Sequence, residues 1–95
     1  MNAQDIKRTL RAHKSELFNR YPIKSMALFG SYSDGTATDH SDVDIMVEFN
    51  QPVGFEFIDL SIELENLLQK RVDLVTRQAV SPKLMTFISR QLQYV

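Results

Sequence analysis

The sequence predicts an α/β (α+β) domain, a small sheet covered by helices in the order α-β-β-α-β-α. Three observations predict it. Short apolar runs of strand length (KSMALF, DVDIMVEF, RVDLVT) alternate with longer segments whose apolar residues recur at helical spacing. Gly30, Gly54, Pro22 and Pro82 punctuate the junctions between them. The chain has 95 residues, 43% hydrophobic and 24% charged, which suits one domain spanning 1–95 with a modest core and argues against disorder.

Taken in order, residues 3–19 carry Ile6, Leu10, His13 and Leu17 on one stripe, with basic residues outside it, and predict one amphipathic helix. Pro22 ends that helix and KSMALF follows as a strand, closed by a turn at Gly30. Residues 31–41 are rich in Ser, Thr, Asp and Gly and predict a loop with a short helical turn. In DVDIMVEF, Val43, Ile45, Val47 and Phe49 take one face of a strand, while Asp42, Asp44, Met46 and Glu48 take the other. After a loop at 50–54, residues 55–69 place Phe57, Leu60, Leu64, Leu67 and Leu68 on a helical stripe. RVDLVT is the third strand. Ser81 and Pro82 read as an N-cap and first helical residue, opening a last helix to about Gln91. Phe55, Phe57, Met85 and Phe87 read as core.

Several function classes are excluded. With no cysteine there is no disulfide scaffold, zinc finger or thiol chemistry. No run of about 18 apolar residues offers a membrane span, and MNAQDIKRTL lacks a signal-peptide core, so a cytoplasmic protein is expected. All 11 Lys and Arg lie at Lys24 or before and at Lys70 or after, whereas nine of the 12 acids lie between. A chain with no basic patch around its centre is not expected to bind nucleic acid directly. GSYSDGT lacks the lysine of a phosphate-binding P-loop, and neither His13 nor His40 stands in a triad-like context.

The central acids carry the chemistry. Residues two apart on a strand project together, roughly 6.5 Å apart, so Asp42 and Asp44 form a carboxylate pair suited to Mg²⁺. Asp73, with Val72 and Leu74 buried on either side, points away from the core and joins them if its strand is their neighbour. Three such carboxylates suffice for two metals about 3.5 to 4 Å apart, the arrangement used for phosphoryl or nucleotidyl transfer. Gly30 and Ser31, just past a strand, offer backbone N–H groups and a hydroxyl to an anion.

The spacing Gly30-Ser31, ten residues, Asp42-Val43-Asp44, then Asp73, resembles the signature of the DNA-polymerase-β-type nucleotidyltransferase superfamily. ALFGSYSDGTATDHSDVDIMVEF, GFEFIDLSIELENLL and KRVDLVT are similar to its small prokaryotic minimal nucleotidyltransferases (MNT), the antitoxins of HEPN/MNT toxin–antitoxin pairs. The resemblance covers roughly residues 5 to 95. It implies a mixed sheet with the carboxylates at one edge, and a Mg²⁺-dependent enzyme that transfers AMP from ATP to a hydroxyl of a HEPN toxin. Asp42 and Asp44 would hold the metals, Asp73 would join on the acceptor side and help activate the hydroxyl, and Gly30 and Ser31 would contact phosphates. The expected assembly is a hetero-oligomer with a toxin encoded by a neighbouring gene. One departure is visible: Tyr32-Ser33-Asp34 stands where close relatives commonly carry basic residues, so metal ions must carry more of the neutralisation, or Arg71, Arg77 or a partner's residue must help. That departure also frames an alternative, an antitoxin that neutralises its partner by binding alone.

Overall fold

A computed structural model describes all 95 residues. The helix α1 (Ala3–Ala12) opens with a reciprocal cap: Asn2 Oδ1 accepts from the Asp5 N–H, and an Asp5 carboxylate oxygen accepts from the Asn2 N–H. The expected single helix is in fact two. At His13 (φ −107°, ψ 6°) the backbone leaves the helix, and α2 (Lys14–Arg20) begins after it. The break keeps both Leu10 and Leu17 fully buried, while His13 itself is only half-buried, so it is a joint rather than a core residue.

The strand β1 (Ile23–Phe29) leads through Gly30 into a single helical turn, α3 (Ser31–Asp34), and then a loop to β2 (Val43–Phe49). Asp42 lies one residue before that strand rather than inside it. The longest helix, α4 (Glu56–Leu68), ends at Gln69, whose left-handed backbone (φ 54°) turns the chain toward β3 (Val72–Thr76). This unusual conformation for a non-glycine is supported by the Gln69 side chain, which donates to the Asn66 carbonyl at 2.6 Å. Glu65 accepts from the Val72 N–H at 2.9 Å and fixes where β3 begins. After a 3₁₀ turn (Arg77–Ala79) comes α5 (Pro82–Ile88), with Ser81 as its N-cap and Pro82 at the first position, as expected. It stops three residues short of the expected end. A strand that the sequence did not announce follows, β4 (Gln93–Tyr94).

The sheet has the order β3-β2-β1-β4 and is mixed: β1 pairs antiparallel with β2 and β4, and β2 pairs parallel with β3. One face carries the main core, in which Val43, Ile45, Val47, Val72 and Leu74 meet Ile6 and Leu10 of α1, Leu17 of α2 and Leu60, Leu64 and Leu68 of α4. Alternation along β2 sends Asp44 and Met46 to the opposite face. Met46 and its register partner Ala27 are buried there, and they and the buried Ile88 of α5 all lie outside the main core. The helices α1, α2 and α4 therefore cover one face, while α5 contributes no side chain to that core. Phe55, just before α4, and Phe87, on α5, were read above as core and are instead 81% and 68% exposed. Phe57 packs partly against the core, as expected, and Met85 is half-buried. No helix is long and apolar enough to cross a membrane.

Candidate functional site

The strand directions build the site. Since β2 and β3 are parallel, they start at the same edge, and β1, antiparallel to β2, ends there with its glycine turn. In register, Asp44 stands directly beside Asp73 on one side and Phe29 on the other. The Val43 N–H donates to the Arg71 carbonyl at 2.9 Å, which extends the pairing backward and sets Asp42 alongside Arg71. All three carboxylates predicted from the sequence thus gather at one sheet edge. Asp42 and Asp73 are exposed, and Asp44 is half-buried between them.

Gly30 is required by this crowding. Its φ of 74° is a left-handed conformation that residues with a Cβ rarely adopt. A Cβ there would stand 2.9 Å from the Asp44 carboxyl carbon and closer still to its Oδ2. The glycine therefore serves the carboxylate as well as the turn. Just beyond it, Ser33 and Asp34 N–H groups donate back to the Gly30 carbonyl, while the N–H groups of Ser31 and Tyr32 have no acceptor within the chain. Those two free donors lie beside the carboxylates, in the position expected of an anion contact.

Electrostatics mark Asp44 as the centre. Its pKa is raised from 3.8 to about 6, first by burial, then by the negative charges of Asp73 and Asp42, and last by a shared-proton contact with Asp73. A divalent cation would relieve the repulsion that raises it. The donors are all carboxylate oxygens, the hard ligands that Mg²⁺ prefers. They do not close into a ready-made cage, and no other trio of acidic or histidine side chains does so. An open set suits an ion that completes its shell with water and substrate phosphates.

The loop residues that depart from the basic pattern are accounted for individually. Tyr32 is 6% exposed and its ring is part of the main core, with the hydroxyl directed at the Thr38 carbonyl. The Lys70 ammonium lies 5.7 Å from the centre of that ring, a cation–π contact that brings a positive charge to the same loop. Sequence reasoning missed Lys70, for which no local signal exists: the contact joins residues far apart in the chain. Arg71 is exposed and pairs with no carboxylate, although three are close by in the register. Arg77 is exposed too, but lies at the far end of β3 with its guanidinium on the Tyr94 hydroxyl.

A second group that sequence reasoning missed is the carboxy-terminal segment. The Gly30 N–H donates to Gln91 Oε1 at 3.3 Å, the Ser33 hydroxyl donates to the Gln91 carbonyl, and Gln93 Nε2 donates to the Ser33 carbonyl and hydroxyl at 3.2 and 3.0 Å. Lys7 in turn donates to Gln93 Oε1 at 2.6 Å. The segment after α5 is thereby laced to the glycine turn.

The nucleotidyltransferase domain family matches residues 10–95. The protein adenylyltransferase MntA of Thermococcus cleftensis is 38% identical over 96 residues, covering 100% of this chain and 97% of that protein. A Methanocaldococcus jannaschii chain, provisionally named a protein adenylyltransferase, is 44% identical over 95 residues, covering 96% of this chain and 95% of its own. The fold also matches a chain in the crystal structure of a toxin–antitoxin with AMP-PNP, with a TM-score of 0.71 and 29% identity, covering 99% of this chain and 72% of that one.

Proposed function

The chain belongs to the nucleotidyltransferase domain family and is a nucleotidyltransferase enzyme, and on that premise we propose that it is a Mg²⁺-dependent protein adenylyltransferase. It transfers AMP from ATP to a hydroxyl of a HEPN-type toxin and so acts as the antitoxin of the pair. In this reading residues 1–95 act as a single minimal domain in the cytoplasm, in a hetero-oligomer with the toxin. The observation that carries the reading is the pairing of Asp44 with Asp73 across parallel strands, beneath a glycine turn that has room for nothing larger. The adenylyltransferase relative and the AMP-PNP-containing toxin–antitoxin structure support the choice of nucleotide and partner.

Asp42 and Asp44 would hold Mg²⁺, with Asp73 joining on the acceptor side. Bound there, two Mg²⁺ ions would neutralise the triphosphate and lower the pKa of the incoming hydroxyl. The free N–H groups at Ser31 and Tyr32 receive phosphate oxygens, with Gly30 allowing the close approach. The acceptor oxygen attacks the α-phosphorus, the bond to the bridging oxygen breaks, pyrophosphate leaves, and the hydroxyl proton passes toward Asp73. Arg71, free of any ion pair, and Lys70, held over Tyr32, supply the positive charge that the GSYSD turn lacks.

Incubation of the chain with labelled ATP, Mg²⁺ and the product of the neighbouring gene tests the reading. Wild type labels the partner, and the Asp42→Asn/Asp44→Asn double variant does not. Equal labelling by both, or by neither, removes the catalytic claim. The absence of any cation in GSYSD favours one second reading, neutralisation by binding alone. In that case the double variant still silences the toxin at stoichiometric dose.

A further inference from the structure

The glycine turn assigned above to the phosphates is too short to hold its own shape. Its helical part, α3, has four residues, and a lone helical turn fixes more chain entropy than its few hydrogen bonds return. What holds it must come from outside. Tyr32, seated in the main core, is one anchor. The others come from the segment after α5 and reach the turn at both ends. The Gly30 N–H donates to Gln91 Oε1 at 3.3 Å, and Gln93 Nε2 donates to the Ser33 carbonyl and hydroxyl at 3.2 and 3.0 Å. The free N–H groups of Ser31 and Tyr32 lie in the chain between those two anchors.

Gln93 is itself held from two sides. It pairs with Leu28 of β1, a core side chain, so its own side chain projects to the face covered by α1. There the Lys7 ammonium donates to Gln93 Oε1 at 2.6 Å. Lys7 is half-buried and has no carboxylate within ion-pair distance, so its charge is directed at an amide oxygen. The bonds then run in one sense: Lys7 to the Gln93 amide, that amide to the Ser33 hydroxyl, and the hydroxyl to the Gln91 carbonyl. Donors chained in one sense polarise one another, and a charge at the head strengthens the first bond. A primary amide suits the middle because it accepts at one atom and donates at the other. Arg11, one turn along α1, provides the contrast. Its Nη2 donates to the Tyr94 carbonyl at 3.4 Å, so it ties down the same segment without touching the turn.

We infer that Gln93 and Lys7 are positioning residues for the nucleotide. Gln93 sets the direction of the Ser31 and Tyr32 N–H groups by holding Ser33, and Lys7 acts by orienting and polarising the Gln93 amide. The inference rests on the nucleotidyl-transfer reading, and it adds how a turn with no cation of its own is kept ready for a triphosphate.

Calorimetric titration of the chain with ATP and Mg²⁺, followed by steady-state AMP transfer with ATP and toxin varied separately, tests it. Gln93→Leu is expected to weaken ATP binding and raise KM for ATP by about fivefold or more, with toxin KM and kcat within about twofold. Lys7→Met is expected to weaken ATP binding about threefold or more, and Lys7→Arg to restore it. Lys7→Met/Gln93→Leu is expected to be no worse than Gln93→Leu alone, because the lysine acts through the amide. Arg11→Met serves as the control and leaves ATP binding within about twofold of wild type, although it loosens the same segment. Should Gln93→Leu prove unstable in a thermal melt, the Lys7 and Arg11 variants decide the matter. Wild-type ATP affinity in Lys7→Met, or equal losses in Lys7→Met and Arg11→Met, overturns the inference while leaving nucleotidyl transfer standing. A wild-type chain that binds no ATP overturns both.

Discussion

The two faces of the sheet are built on opposite principles. On the helix-covered face, fully buried side chains such as Ile45 and Leu64 interlock with no polar group among them. At the carboxylate edge, like charges are brought together, and a half-buried acid is held above its ordinary pKa. The first arrangement lowers free energy by removing apolar surface from water; the second raises it and is carried by the first. The same strands serve both faces through alternation, so Val43, Ile45 and Val47 anchor the backbone from which Asp44 projects. Stability and chemistry are thus separable here residue by residue.

Four substitutions test that contrast. The largest effect on stability belongs to the core: Leu64→Ala removes a fully buried side chain and should cost about 2 to 5 kcal/mol in denaturant melts, with transfer per folded molecule unchanged. Gly30→Ala comes next, at about 1 to 3 kcal/mol for the left-handed backbone and the collision with Asp44. Combining it with Asp44→Ala, which removes the colliding carboxylate, should give a total smaller than the sum of the single changes.

Asp44→Asn should do the reverse of a core change, raising the melting temperature of the metal-free chain at pH 7.5. The sign follows from the raised pKa. Between 3.8 and about 6 the folded carboxyl binds a proton that the unfolded one releases, so its stabilising contribution is full below 3.8 and lost as pH rises through 6. The gap between Asp44→Asn and wild type should therefore shrink as pH falls from 7.5 to 4; a constant gap would refute the crowding. The smallest stability effect is at Arg71→Ala, within about 0.5 kcal/mol as expected of an exposed side chain. That variant should nonetheless raise KM for ATP roughly tenfold, as loss of about 1.4 kcal/mol of triphosphate binding does.

The sequence revealed most where burial is periodic. Leu60, Leu64 and Leu68 predicted α4, and Val72 and Leu74 flanking Asp73 predicted which way that acid faces. Asp42 and Asp44 were legible as a pair because residues two apart on a strand share a face, whereas Asp73 joined them only on the condition, met here, that its strand lies beside theirs. What escaped is what pairing between distant segments creates. Gln93–Tyr94 has no strand pattern of its own and becomes β4 only because β1 offers an open edge. The interruption at His13 leaves the spacing of Ile6, Leu10 and Leu17 readable as a single helix, so periodicity could not reveal it. Phe55 and Phe87 show the converse: hydrophobicity alone does not say whether a side chain faces the core or a partner.

Tyr32 gives the glycine turn a mechanical character. A phosphate-binding loop that carries only polar residues can swing, and must be ordered each time a ligand arrives. Here the residue after Ser31 is driven into the core like a tent peg, and the segment from Gln91 to Gln93 ties the turn from the other side. The turn is thus a wall and not a lid. A ligand entering it meets donors already in place and forfeits little chain entropy on arrival.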